Sequence, residues 1–164
     1  MIEYDYVTKK RNEVQEFPKR GMGFIRAILR WVTRFQVAVF RASKGRMLNK
    51  FVGGYPICVV TTRGAKSGAI RRIALIHLPH GEDKLMVASQ GGMDKMPAWY
   101  YNVSANPEVQ IMVGGDEKTY LAERVSDEEK ASLWPHLLSL YPDFDEYQAR
   151  TDRNIPVFRC RAKA

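Results

Sequence analysis

The chain has 164 residues, 45% hydrophobic and 27% charged, with 26 Lys and Arg against 18 Asp and Glu. That length suits one domain around one core, and that balance excludes a disordered chain. The net charge of +8 and pI of about 9.6 favour anionic partners without choosing among them.

Cys58 and Cys160 are too few for a disulfide framework, and no CxxC or Cys/His cluster calls for a metal. Both thiols are expected to be reduced and packed, in a cytoplasmic protein.

Residues 1–20 are polar with little periodicity and predict a loose N-terminal arm. A single domain is expected over 21–164, with an amphipathic helix in 21–50 and a barrel with decorating helices in 51–164. Within the helix Phe24, Ile25, Ile28, Leu29, Val32, Phe35 and Val39 recur at spacings of three and four, beside a basic stripe of Arg26, Arg30 and Arg34. Those arginines interrupt the apolar run over 22–40, so it lacks the roughly 20 apolar residues needed to cross a bilayer. Two readings stay open: a helix packed on the core with a solvated flank, or an interfacial helix resting on anionic lipid at the inner face of the cell membrane.

GGYP at 53–56 is a turn, after which the period becomes that of strands. ICVVTT (57–62), IRRIALIHL (70–78), KLMVAS (84–89), EVQIMVG (108–114), KTYLAERV (118–125) and IPVFRCR (155–161) predict six strands. SQGGMDKMP (89–97) reads as a loop where backbone approaches something closely, and PAWYYNVSAN (97–106) as a short helix. Ser126 with Glu129 is a capping box for a later helix, which Pro135 is expected to kink, and PDFDEYQARTDR (142–153) is a short helix or turn. The expected fold is α+β, mainly β: a small barrel of about six antiparallel strands with an N-terminal helix and two late helices.

TTRGAKSGAIRRIAL (61–75) carries Arg63, Lys66, Arg71 and Arg72 and no acid. Lys66, Ser67, Gly68 and Arg71 offer an ammonium, a hydroxyl, open backbone and a guanidinium, a set suited to phosphate or carboxylate. A solvated basic hairpin turn is the alternative. His77, His80 and His136 have no metal-ligand spacing, and Ser89 sits at a strand end beside the glycine loop. Trp99, Tyr100 and Tyr101 are consecutive, while Tyr141, Phe144 and Tyr147 are three apart and share a helical face. They are core packing or an aromatic wall for a flat substrate, with phenols to hydrogen-bond or protonate it. With no nucleophile–base pair in the chain, an anion clamp, a glycine loop and an aromatic wall favour a cofactor that carries the chemistry.

TTRGAKSGxxR, ASQGGMDKMPAWYYNVSANPEVQI and YPDFDEYQARTDRNIPV resemble the deazaflavin-dependent nitroreductase and quinone reductase family, the split-barrel reductases that use coenzyme F420. The resemblance runs from about residue 50 to the C-terminus. It implies a split β-barrel and hydride transfer from reduced F420 to quinones, nitroaromatics or other activated acceptors. It also implies that Lys66, Ser67, Arg71 and Arg72 hold the anionic tail. Ala88, Ser89, Gln90, Ala98, Trp99, Tyr100 and Asn102 would line the ring, and Ile76, Tyr141, Phe144 and Tyr147 the acceptor pocket. Tyr147, Tyr141 and Ser89 are the implied catalytic set, and the N-terminal helix resembles a segment that associates with membrane in some members. Ala65, Ala74, Ile76, Gln90 and Phe144 depart from residues the family often carries, and the fewer hydroxyls suit a flat quinone. An FMN-dependent split-barrel reductase, a basic nucleic-acid-binding barrel and a non-catalytic membrane-surface protein are the competing readings. Nucleic acid is disfavoured because the aromatics lie apart from the basic turn.

Overall fold

The computed structural model describes residues 4–14 and 22–163, the latter without the side chains of 22–30. In chain order the elements are α1 (Met22–Ala42), β1 (Ile57–Arg63), β2 (Ile70–Ile76), β3 (Leu78–His80), β4 (Asp83–Val87), α2 (Ala98–Ala105), β5 (Glu108–Val113), β6 (Asp116–Arg124), α3 (Asp127–Leu140), α4 (Asp143–Arg150) and β7 (Val157–Ala162).

The seven strands form one antiparallel sheet in the order β2-β1-β5-β6-β7-β4-β3. Its two edges, β2 and β3, are consecutive in the chain and separated only by His77. Six inter-strand gaps of roughly 4.8 Å would put the edges of a flat sheet about 29 Å apart, and one residue spans only about 3.5 Å. The sheet therefore curls until its edges meet, which makes the expected split barrel. Where one strand was expected over 70–78, the structure has two, and the strand count rises from six to seven. The break follows from pairing: β2 pairs with β1, β3 pairs with β4, and the His77 N–H is drawn off to the Pro56 carbonyl at 2.9 Å.

Side chains of β1 alternate between two cores. Cys58 and Val60 point into the barrel, while Ile57 and Val59 point out beneath α1, so the strand reads as a continuous buried run. The barrel interior also takes Met86, Trp99, Val103, Ile111, Tyr120, Phe158 and Cys160. A second core outside the barrel joins Leu85, Val87 and Val157 to Trp134, Leu137, Tyr141 and Phe144 of the α3–α4 region. Ser126 caps α3 by accepting from the Glu129 N–H at 3.1 Å, and the helix continues through Pro135.

For α1 the expected core face is corrected where its side chains are described. Val37 and Phe40 pack on the sheet, whereas Trp31, Val32 and Phe35 are 70%, 55% and 66% exposed. The helix thus has two apolar faces, and only one finds a partner within the described chain. Phe24, Ile25, Arg26, Ile28, Leu29 and Arg30 lie outside the described side chains.

Where a loose arm was expected, residues 4–9 are docked on α3 and α4. The Asp145 carboxylate accepts from the Thr8 hydroxyl (2.6 Å), the Lys9 N–H (2.8 Å) and Trp134 Nε1 (3.0 Å). Tyr4 and Tyr6 lie over the buried Lys130 ammonium, with Nζ 5.4 and 5.0 Å from their ring centroids. Burial pushes the Lys130 ammonium down to about 7. The rest of the expected arm, residues 1–3 and 15–20, lies outside the described residues.

Candidate active site

Between β1 and β2 the chain folds on itself over residues 64–69. The Gly64 N–H bonds Ala69 O, and the Gly68 N–H bonds Gly64 O, both at 2.8 Å. A Cβ on Gly64 would stand 2.8 Å from Ser67 Oγ and 3.2 Å from Ala69 O, so a larger residue there would turn the Ser67 hydroxyl aside. Lys66, Ser67, Arg71 and Arg72 are exposed, and none of these cations forms an ion pair among the described residues. With Arg63, which lies near the Glu108 carboxylate, they make four cations, a set that suits a multiply charged anion, so these residues fit a phosphate or polycarboxylate tail.

Register separates the two arginines of β2. Arg71 pairs with Thr62 and Arg72 with Thr61, and paired residues of an antiparallel ladder share a face. Arg71 lies on the face where Asn102 Nδ2 bonds Thr62 Oγ1 at 3.2 Å, and Arg72 lies on the opposite one.

Asn102 joins the basic turn to α2. Besides bonding Thr62, its Oδ1 accepts from the Ala65 N–H at 3.0 Å. In the same helix Trp99 turns into the barrel against Phe158 (5.9 Å between centroids) and is 5% exposed, which makes its side chain core rather than lining. Tyr100 is half-buried at the barrel mouth, and Ala98 and Tyr101 are exposed.

The glycine loop leaves β4 at Ala88, which is buried, and turns over with positive φ at Gln90 (46°), Gly91 (67°) and Gly92 (81°). It packs directly on α4: a Cβ on Gly92 would stand 2.5 Å from Tyr147 O. Ser89 stands three residues before that contact, and the three segments singled out in the sequence adjoin one another through Asn102 and Gly92.

Ile76, Tyr141, Phe144 and Tyr147 share one cluster, but Tyr141 and Phe144 are 3% and 4% exposed, which makes them core like Trp99, and only Ile76 and Tyr147 are partly exposed. The Tyr141 and Tyr147 hydroxyls are 3.0 Å apart. Burial pushes both phenols above their ordinary range, and the bond to Tyr147 raises Tyr141 further. Both stay protonated at neutral pH, so a pair of linked O–H groups faces this region, with Tyr147 the more exposed of the two.

Sequence reasoning missed three members of this neighbourhood. Tyr55 stacks edge-on against Tyr141 with centroids 4.8 Å apart, and an aromatic between Gly54 and Pro56 was the available signal. Arg150 Nη1 donates to Gly91 O at 2.6 Å and Arg153 holds three carbonyls of the loop region; both stand in the quoted YPDFDEYQARTDRNIPV stretch without a role. Elsewhere, Cys58 and Cys160 are free, buried and pushed up to about 12 by burial, so neither is a thiolate near neutral pH. A cavity of about 440 Å³ opens between Ala42, Ser43, Lys44, Arg46 and Met47 at the end of α1, and no expected site residue lines it.

Residues 31–161 match the family model described as F420H(2)-dependent quinone reductase. The chain belongs to that family. An F420H(2)-dependent quinone reductase of Mycobacterium tuberculosis is 35% identical over 127 residues, covering 76% of this chain and 85% of the relative. Among solved structures, an F420-H2 dependent reductase is 42% identical with a TM-score of 0.60, over 64% of this chain and 93% of that one. A chain described as a domain-swapped dimer is 35% identical with a TM-score of 0.63, over 80% of this chain and 98% of that one. Membership of the F420H(2)-dependent quinone reductase family makes this protein an oxidoreductase whose cofactor is reduced coenzyme F420.

Proposed function

We propose that the protein transfers a hydride to a flat quinone bound against the α4 aromatic face, with Tyr147 as the proton-bearing group. Bound reduced F420 supplies the hydride chemistry. Lys66 and Arg71 bind the anionic tail, with the Ser67 hydroxyl beside them, and Arg72 adds charge from the opposite face of β2. Asn102 fixes the basic turn against α2, and Ala88, Ser89 and Gln90 with Ala98 and Tyr100 border the ring. Ile76 and Tyr147 border the acceptor with the buried Tyr141 and Phe144 packed behind them, and Tyr147 Oη, bonded to Tyr141 Oη, holds the proton at the pocket. The observation that carries this reading is the unbroken path from the basic turn through Asn102 to α2, from the glycine loop before it to α4, and on to the tyrosine pair.

The test titrates oxidised F420 and FMN into the protein by ligand fluorescence. Tight F420 binding, weak FMN binding and at least tenfold loss in Lys66→Ala and Arg71→Ala are expected; equal FMN affinity overturns the tail assignment. Tyr147→Phe is expected to lower quinone turnover at least tenfold with cofactor affinity nearly unchanged, and undiminished turnover removes Tyr147 from the mechanism. Nitroaromatics are expected to be reduced more slowly than quinones, because Phe144 and Ile76 offer no hydroxyl to a polar nitro group.

A second reading concerns α1. No helix among the described residues is long and apolar enough to cross a membrane. Trp31, Val32 and Phe35 are nevertheless exposed, and Gln36 of the same helix donates to Leu48 O and Lys50 O in the segment that carries the exposed Met47, Phe51 and Val52. We infer peripheral association of this face with anionic lipid, giving access to a lipophilic quinone. Co-sedimentation with vesicles containing anionic lipid is expected, and Trp31→Glu with Phe35→Glu is expected to abolish it; sedimentation that survives both changes overturns the inference.

A further inference from the structure

Arg153 stands outside the set of residues that touch the tail or the acceptor, in the segment that follows α4. Its guanidinium is committed to neutral acceptors on one loop region. Nε donates to Met93 O at 2.8 Å, Nη1 to Ala88 O at 3.0 Å and Nη2 to Ser89 O at 2.6 Å. Half-burying a cation costs desolvation, and among the described residues no carboxylate receives its hydrogen bonds, although Asp94 lies near enough to act on its charge. What the contacts do is geometric. A trans peptide is planar, with its C=O and the following N–H pointing in opposite directions, and the chain has no cis peptide among the described residues. Holding Ala88 O and Ser89 O towards Arg153, the latter shared with the Gly92 N–H at 2.9 Å, therefore aims the N–H groups of Ser89 and Gln90 away from the guanidinium. The next carbonyl, Gln90 O, is turned inward by the Met93 N–H at 3.3 Å, and Arg150 takes Gly91 O. Arg153 is itself fixed from behind, since its own carbonyl accepts from Gln148 Nε2 at 2.9 Å.

We propose that Arg153 is a positioning residue for the cofactor: it locks the loop leaving β4 so that the Ser89 and Gln90 N–H groups are presented to the polar edge of the deazaflavin ring. This rests on the assignment of that loop to the ring made above. Lysine is not an equivalent, because three donors on one nitrogen do not span carbonyls that belong to residues 88, 89 and 93.

The experiment compares wild type, Arg153→Lys, Arg153→Ala and Arg159→Lys. Arg159 is a control of the same residue type that bonds Asp83 and Glu129 rather than the loop. Two readouts are taken: the dissociation constant for oxidised F420, and amide hydrogen exchange over residues 88–93 without cofactor. Expected are roughly tenfold weaker F420 binding in Arg153→Lys and at least tenfold faster exchange over 88–93, with less than twofold change in Arg159→Lys. Millimolar guanidinium ion is expected to restore binding to Arg153→Ala, which a general loss of folding would not allow. F420 affinity within twofold of wild type in Arg153→Lys, or unchanged exchange over 88–93, overturns the proposal. Absence of F420 binding by the wild type strikes the proposed function instead, and exchange over 88–93 then decides whether Arg153 locks the loop.

Discussion

The barrel interior and the helical layer outside it are both buried, but they are built differently. The interior is packed with Cys58, Val60, Met86, Trp99, Val109, Ile111 and Phe158, and the buried charged side chains among the described residues, Lys130 and Asp145, lie outside it. The α3–α4 layer contains Lys130, Asp145, Gln148 and Thr151, all buried. There Lys130 Nζ donates to Gln148 Oε1 at 2.8 Å and to Asn154 Oδ1 at 2.5 Å, and Asp145 ties down the N-terminal segment. The contrast teaches a division of labour. Non-directional burial makes a scaffold, whereas directional bonds fix the angle of α4, the element that carries Phe144 and Tyr147.

The comparison is broken most severely from the barrel side. Trp99→Ala leaves a large void among side chains that cannot collapse, and is expected to cost about 3–5 kcal/mol. Urea unfolding measures it, and a cost below about 1 kcal/mol would show that Trp99 is lining rather than core.

Next in size is Asp145→Asn. Burial alone would raise this carboxyl, but bonds from Thr8, Trp134 and Lys9 hold it below its ordinary value. A lowered folded value means the stabilisation is full above the unfolded carboxyl range and is lost as pH falls through the folded one. The substitution is expected to cost roughly 2–3 kcal/mol at neutral pH, to flatten the acid limb of stability, and to release residues 4–9 to hydrogen exchange while barrel amides stay protected. Equal deprotection of the barrel would show that the two regions unfold as one.

The smallest effect sharpens the comparison by pH. Lys130 sits at about 7 when folded against 10.5 for an unburied lysine. Between those values the unfolded chain holds a proton that the folded one has lost, so unfolding takes up a proton and stability rises with pH. Wild type is expected to gain roughly 1–2 kcal/mol from pH 7 to 9, and Lys130→Met is expected to lose that slope. A slope that persists in the variant would assign it to another group.

Much of the site was legible because its parts are local. The basic turn is contiguous, the glycine loop announces itself by composition, and three-residue spacing puts Phe144 and Tyr147 on one face of α4, whereas Tyr141 joins them from the extended residue that ends α3. Trp99 and Tyr100 show the limit. They are adjacent and similar in chemistry, and only the barrel decides that the first goes inward and the second to the mouth. Arg71 and Arg72 are divided in the same way, by a register that depends on β1.

The sequence by itself determined six strand-forming stretches, the β5–β6 hairpin, the Ser126 cap, a basic turn without acids and, through its motifs, the family. These follow from periodicity, turn chemistry and charge, which act over a few residues. The tertiary structure alone decided the break at His77, the exposed second face of α1, the docking of residues 4–9 and the grip of Arg153 on a loop 60 or more positions away. Each of these depends on which distant backbone groups need a partner once the sheet has curled, and no local pattern encodes that.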